Sequence, residues 1–370
     1  MATRNPCGDF TMMYCLKESD LQPLSIGAAL LGTGGGGNPY IGMLRAREMI
    51  RGGAKVEIAS LDELPDDAWV GRVGSIGAPV VGIEKLSEGG ECFRALRAIE
   101  EAAGVRMSAL IAAEIGGANA MAPIITAAKA GLPVIDGDGM GRAFPEVQMT
   151  TFSIYGPQAS LTALADDKGN VVLLRELQDS RWLERFARTV AVDMGGGAGA
   201  AGAPLSMEVV RITAVPDTVT LALKIGETVL DARQKRLNVI ERVVDLTAGR
   251  IFFTGKITDV RRELTGGFAR GHALLSGFDQ WSGSEARIAI QNENLVLWID
   301  GEPAIMVPDL IMNLEIDTGE PITTEMLRFG QRVAVIGMPA HPLMKSDRAL
   351  EVVGPQAFGY PELTFTPLAA

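Results

Sequence analysis

The sequence predicts an α/β N-terminal domain built on a mostly parallel sheet, followed by a β-rich α+β C-terminal domain. Three observations carry this. Up to about residue 165, strand-like apolar runs alternate with segments of helical spacing, the pattern of a parallel α/β sheet. From Gly249 onward the texture changes to short strands broken by frequent turns. Hydrophobic residues make up 47% of the 370 residues but aromatics only 5%, so Ala, Val, Leu, Ile and Met fill an ample core. A chain of this length predicts two domains, placed at 1–165 and 166–370.

The elements follow in order. Asp20 is a helix N-cap candidate, and Leu24, Ala28 and Leu31 fall at helical steps after it. The run GTGGGGNP then spells G-x-G-x-x-G from Gly32 to Gly37. A dinucleotide fingerprint needs a strand before its glycines, and a helix stands there instead, so no nucleotide cofactor is expected. A second helix begins after Asn38, with Pro39 at its first position. Lys55–Ile58 alternates like a short strand, and Val70–Gly82 reads as a buried strand ending in a Gly/Pro loop. Glu91–Ala103 has helical spacing. MSALIAAEIGG gives a strand ending at Glu114 and two glycines, ANAMAPIITAAKAG a helix, and Leu132–Ile135 a strand running into DGDGMGRAFPE. TTFSIYG and NVVLLREL look like short strands, and SRWLERFARTVAVDM like a helix. GGGAGAAG, from Gly195 to Gly202, suggests a linker or a second loop over the cleft. VTLALKIGETVLDARQKR reads as a helix before the β-rich tail.

Composition excludes several functions. A net charge of -11 repels phosphate backbones, and no Lys/Arg cluster with interleaved aromatics is present, so nucleic acid is not an expected partner. No stretch of apolar residues is long enough for a membrane span. The first fifteen residues lack the pattern of a signal peptide, and the chain reads as cytoplasmic. Cys7, Cys15 and Cys92 are too few and too scattered for a disulfide framework or a cysteine metal site. The two histidines, His272 and His341, preclude a His-rich zinc site, so a divalent metal, if one is used, would be held by carboxylates.

The densest polar cluster runs from Glu114 to Glu146 and includes Asp136, Asp138 and Arg142. Carboxylates gathered at strand-end loops can split their pKa values for acid/base work or hold a hard cation. The plainer alternative is that Asp136 and Asp138 cap a turn and Arg142 pairs with one of them. His341, in a loop after a strand, is a candidate general base. Gly34, Gly35, Gly36, Gly37 and Asn38 form a candidate ligand-binding wall, because glycine lets a ligand approach the backbone and helix-start amides attract negative charge. Asn119 suits either a ligand contact or a helix cap. Cys92 reads as a buried helix residue, and NEN (Asn292–Asn294) and VPDL (Val307–Leu310) as turns.

Taken together, GTGGGGNP, EIGGANAMAP, LPVIDGDGMGRAFPE, GKITDV, QNENL and VPDLI, in this order, resemble the DUF917 family, also called S-methyl-thiohydantoin desulfurase-like. The resemblance spans about Leu21 to Tyr360. It implies the same two-part architecture and a setting of hydantoin and oxoproline metabolism. The family name implies hydrolysis of a cyclic S-methyl-thiohydantoin with release of a thiol. The alternative is a non-catalytic subunit or binding module of a hydantoinase- or oxoprolinase-type assembly. Homo-oligomerisation and a hydantoinase-type partner are both open, and a small cyclic molecule is the expected ligand.

Overall fold

The computed structural model describes residues 13–78, 81–157 and 161–368. Cys7, most of the N-terminal stretch read above and the expected Pro79 turn lie outside the described residues. The first glycine run follows a helix, Glu18–Leu31, as the spacing predicts. Asp20 does not stand before this helix; it sits in its first turn and reaches back, accepting the Lys17 amide at 2.8 Å. The second helix covers Tyr40–Arg51, and Asn38 Oδ1 accepts the Tyr40 amide at 2.9 Å, which satisfies a donor the helix start leaves free.

The first sheet is mixed, not mostly parallel. Its strands run in the order Tyr14–Cys15, Glu57–Ala59, Val134–Asp138, Ala109–Ala112, Trp69–Gly77, Gly197–Gly202, Leu161–Ala165, Val171–Arg175. The pairings among Glu57–Ala59, Val134–Asp138, Ala109–Ala112 and Trp69–Gly77 are parallel. The rest are antiparallel: Tyr14–Cys15 at one edge, and Gly197–Gly202, Leu161–Ala165 and Val171–Arg175 toward the other. The expected division at residues 165 and 166 falls inside one of them, Leu161–Ala165 with Val171–Arg175.

The Gly/Ala run is neither linker nor loop. It is the strand Gly197–Gly202, inserted antiparallel beside Trp69–Gly77. Its composition has a packing cause: a Cβ on Gly199 would sit 2.5 Å from the Cys92 amide of the helix Glu91–Ala103. TTFSIYG is also not a strand. Thr150 caps it by accepting the Ser153 amide, and Thr151–Tyr155 turns into a short helix.

The second sheet is a wholly antiparallel set of seven strands. Its longest hairpin joins Arg250–Thr265 to Phe268–Gly277 across Gly266 and Gly267, which both take positive φ. One face encloses Phe252, Phe253, Ile288 and Val335. Other residues of this sheet, including Leu295, Val296, Met306 and Leu310, join Leu24, Leu31, Leu96 and Val219 in a single core. The two domains therefore share buried apolar surface, the main stabilising contribution here.

The helices Glu18–Leu31 and Thr218–Lys235 hold this junction together by backbone contact. A Cβ on Gly27 would lie 1.8 Å from the Ala222 carbonyl oxygen, and one on Gly226 1.8 Å from that of Pro23. No side chain fits between them. Gly226→Val is expected to lower the unfolding free energy by about 3 kcal/mol or more, read by urea denaturation. Gly82→Ala, where an added methyl meets open space, is expected to leave it within about 1 kcal/mol of the parent. Equal stability of the Gly226 variant and the parent would refute the backbone-contact account.

Candidate functional site

The glycine loop explains its own composition. Gly36 and Gly37 carbonyls both accept the Ala118 amide, at 2.9 and 3.0 Å. A Cβ on Gly36 would lie 2.4 Å from the Gly116 carbonyl oxygen, and one on Gly117 2.5 Å from the Gly36 carbonyl carbon. Two glycine segments thus pack backbone against backbone. The second domain holds the other side: the Asn294 amide donates to the Thr33 carbonyl at 2.9 Å, and the Thr324 amide to that of Gly34 at 2.7 Å.

Beside this seam lies a cavity of about 600 Å³. It opens at the carboxyl ends of the parallel strands Trp69–Gly77 and Ala109–Ala112, where α/β sheets place their ligands. Gly36, Gly37, Asn38, Glu114, Asn119 and Glu146 line it. Gly34 and Gly35 face the second domain instead, toward Asn294, Thr324 and Glu293.

Glu114 leaves the strand Ala109–Ala112 and is 6% exposed. Its Oε2 accepts the Phe144 amide at 3.1 Å and its Oε1 accepts from Asn119 Nδ2. Asn119 is fixed in turn by the Ser75 amide, which donates to its Oδ1 at 2.7 Å. Burial pushes the Glu114 carboxyl up to about 8, against the downward pull of Asn119 and the Phe144 amide.

The sequence reading missed the partner of this group. Glu293 lies in NEN, read above as a turn. Asn292 does make the tight bend, with φ of +56°, and this aims Glu293 into the cavity wall. Glu293 is 2% exposed. Its Oε1 accepts the Gly36 amide at 3.3 Å, while its Oε2 has no hydrogen-bond partner among the described residues. Burial raises its pKa well above the ordinary carboxylate range, and the Glu114 charge raises it further. The signal was present in IAIQNENLVLW: a carboxylate between two strongly apolar strands must be buried. Glu325, half-buried on the same cavity, also has an Oε2 without a partner among the described residues, and burial raises its pKa.

The other members of the expected cluster lie behind this wall. Asp136 accepts the Val219 and Thr220 amides at 2.9 and 3.1 Å, and so holds the start of the helix Thr218–Lys235. Asp138 accepts amides of Ile115, Met140 and Gly141 at 2.9 Å; burial raises its pKa to about 7. Neither carboxylate lines the cavity. Arg142 pairs with neither of them. It is fully buried, and it donates to the Ala143, Pro308 and Asp309 carbonyls and to Thr33 Oγ1, all within 3.0 Å. VPDL is thus more than a turn. It supplies two of these carbonyls, and the Asp309 carboxylate accepts the Ala340 and Leu368 amides. His341 is also outside the cavity wall; its Nδ1 accepts the Leu343 amide at 3.3 Å, and burial lowers its pKa. Cys92 lines the cavity with its thiol donating to the Gly74 carbonyl; burial pushes its pKa up to about 11, so it is a protonated wall residue at neutral pH.

Among the described residues, no group of three or more His, Cys, Asp or Glu side chains is disposed to hold a metal ion. None of the helices described is long and apolar enough to cross a membrane. The arrangement offers a pair of buried carboxyls, one from each domain, whose pKa values burial raises.

These raised pKa values predict the pH dependence of stability. An unfolded glutamate releases its proton near 4.5, whereas folded Glu114 keeps it up to about 8. The folded state therefore binds more protons in that window, and stability falls as pH rises through it. The melting temperature is expected to drop between about pH 5 and about pH 9, and to drop less in Glu114→Gln. Parallel melting curves for the two proteins would overturn the assignment.

With the geometry described, the chain was compared with known proteins. Residues 19–176 match the model of the N-terminal domain of S-Me-THD-like proteins, and residues 178–368 that of their C-terminal domain. A crystal structure of a protein from Chromobacterium violaceum has the same fold, with a TM-score of 0.82 over 96% of this chain and 100% of that one, at 24% identity. Among curated proteins there was no significant match. The chain belongs to the S-Me-THD-like family, the S-methyl-thiohydantoin desulfurase-like or DUF917 family, and this membership points to a role related to thiohydantoin metabolism.

Proposed function

We propose that the protein is a hydrolase acting on a small cyclic amide of the S-methyl-thiohydantoin type. The observation that carries this is the meeting of Glu114 and Glu293, from the two domains, in the wall of one cavity. Water adds to the ring carbon that bears sulfur. Ionised Glu114 takes a proton from that water and returns it to the departing thiolate, while the second water proton ends on a ring nitrogen. The carbon–sulfur bond breaks and a carbon–oxygen double bond forms, so one water and one ring give one thiol and one hydantoin, with no change of oxidation state overall. Glu293 accepts a ring N–H and orients the carbon toward the water. Asn119 positions the Glu114 carboxyl.

In the non-catalytic alternative, a binding module, the same carboxyls would only hold the ring, and release of thiol separates the two readings. Glu114 must be ionised to act as a base. The rate constant kcat/KM is therefore expected to rise with pH and level off above about 8, the value burial gives this group. Glu114→Gln is expected to lower kcat by about 100-fold or more, followed as thiol release from an S-methyl-thiohydantoin with a chromogenic thiol reagent. Undiminished thiol release by this variant would remove Glu114 from the mechanism.

A further inference from the structure

Two carboxyl groups of this cavity wall each have an oxygen without a protein donor among the described residues, Glu293 Oε2 and Glu325 Oε2. An orphaned buried carboxylate oxygen is costly to keep unless a ligand fills it. The cationic side chains of the wall are engaged elsewhere. Arg188 binds Glu184 Oε1 at 2.7 Å and the Pro145 carbonyl at 2.7 Å. Lys85 binds Asp167 at 2.8 Å, and Arg45 binds Ser87. Arg142 faces Glu293 from behind the wall with its donors committed to carbonyls and Thr33. Arg262, beside Glu325, donates to the Thr324 carbonyl.

We infer that the cavity takes its ring ligand as an amidinium-type cation, held through N–H donors by Glu293 and Glu325, and rejects rings that carry a carboxylate. This rests on the reading of the site as acting on S-methyl-thiohydantoin-type rings and specifies their charge state. The carbon bearing sulfur in such a ring is an isothiourea carbon. Protonating its nitrogen makes a planar cation with N–H groups suited to carboxylate oxygens, and it makes that carbon more open to attack by water. In this charge state the ring nitrogen brings its own proton, so the second proton of the attacking water passes to the Glu293 carboxylate as the neutral hydantoin forms. The same cation, once bound, lowers the pKa of the nearby Glu114 and so generates the base. The charged groups facing Glu293 are Glu114 and Arg142, and the one facing Glu325 is Arg262.

The test uses the whole protein and calorimetry with three rings: 2-aminoimidazoline, a cyclic guanidinium with no leaving group; hydantoin, which is neutral; and 5-oxoproline, an anion. The guanidinium is expected to bind about tenfold or more tighter than hydantoin, and 5-oxoproline to give no binding heat. Because burial raises the Glu293 pKa and the group must lose its proton to hold a cation, the affinity of the guanidinium is expected to rise with pH, by up to about tenfold per unit, with proton release into the buffer. Glu293→Gln is expected to abolish both the preference and the pH dependence. Should that variant fail to fold, Glu325→Gln and the pH series on the parent decide the matter. Equal affinity for the guanidinium and hydantoin, or binding of 5-oxoproline, overturns the inference even if thiol release is observed. Conversely, a pH-dependent preference for the cation without any thiol release leaves this inference standing and removes the hydrolase reading.

Discussion

The two carboxyls that meet in the cavity wall are braced by one buried guanidinium. Arg142 has no exposed surface, and it lies where the glycine loop, the DGDGMGR loop and the second domain come together. Its planar fork reaches Thr33 on one side and the Pro308 and Asp309 carbonyls on the other, with the Phe144 ring 4.1 Å away. Lysine has neither the reach nor the number of donors to do this. Thr33 begins the turn that carries Gly36 to Glu293, and Phe144 gives its amide to Glu114. Through two short paths, then, the same side chain fixes both carboxyls. Burial draws its pKa down to about 10, which leaves it charged at any neutral pH and able to attract Glu293 and Glu114 at the same time.

That arrangement sets stability against function. Two carboxyls with raised pKa values, one of them with an oxygen that has no donor among the described residues, cost the fold stability at the cavity. The cost is offset elsewhere, by the apolar core that runs unbroken between the domains and by the helix pair that meets backbone to backbone at Gly27 and Gly226. Other buried carboxylates are treated differently. Asp136 and Asp138 each receive several backbone amides and serve as fixed braces. Asp138, given three amides, is pinned behind the wall, whereas Glu293, given one, keeps an oxygen without a donor among the described residues.

Much of the fold was legible in the sequence. Apolar spacing located the helices Glu18–Leu31, Glu91–Ala103 and Thr218–Lys235 and the turn-rich second sheet, because periodicity is a local property of the chain. The parallel core was legible for the same reason. Its antiparallel additions were not: a Gly/Ala run has no periodicity, and Gly197–Gly202 becomes a strand only because the helix carrying Cys92 leaves room for nothing larger. Thr151–Tyr155 was misread because its side chains suit a strand, while the cap that makes it a helix comes from Thr150 just before it.

The candidate site divides the same way. By itself the sequence determined that glycine loops and carboxylates would gather around Glu114, since strand ends followed by glycines mark where a parallel sheet exposes its ligand face. It also supplied the family resemblance, carried by motifs from both halves of the chain. Only the tertiary structure decided which carboxylates share the cavity wall. Asp136 and Asp138 stand close to Glu114 in the chain, yet backbone amides from neighbouring loops and a helix start consume them. Glu293 stands far from it, and joins it because the second domain folds back onto the glycine loop. The physical reason is that a charge in a dry wall is governed by its desolvation and by the donors within a few ångströms, and both are set by contacts between segments that the order of residues does not reveal.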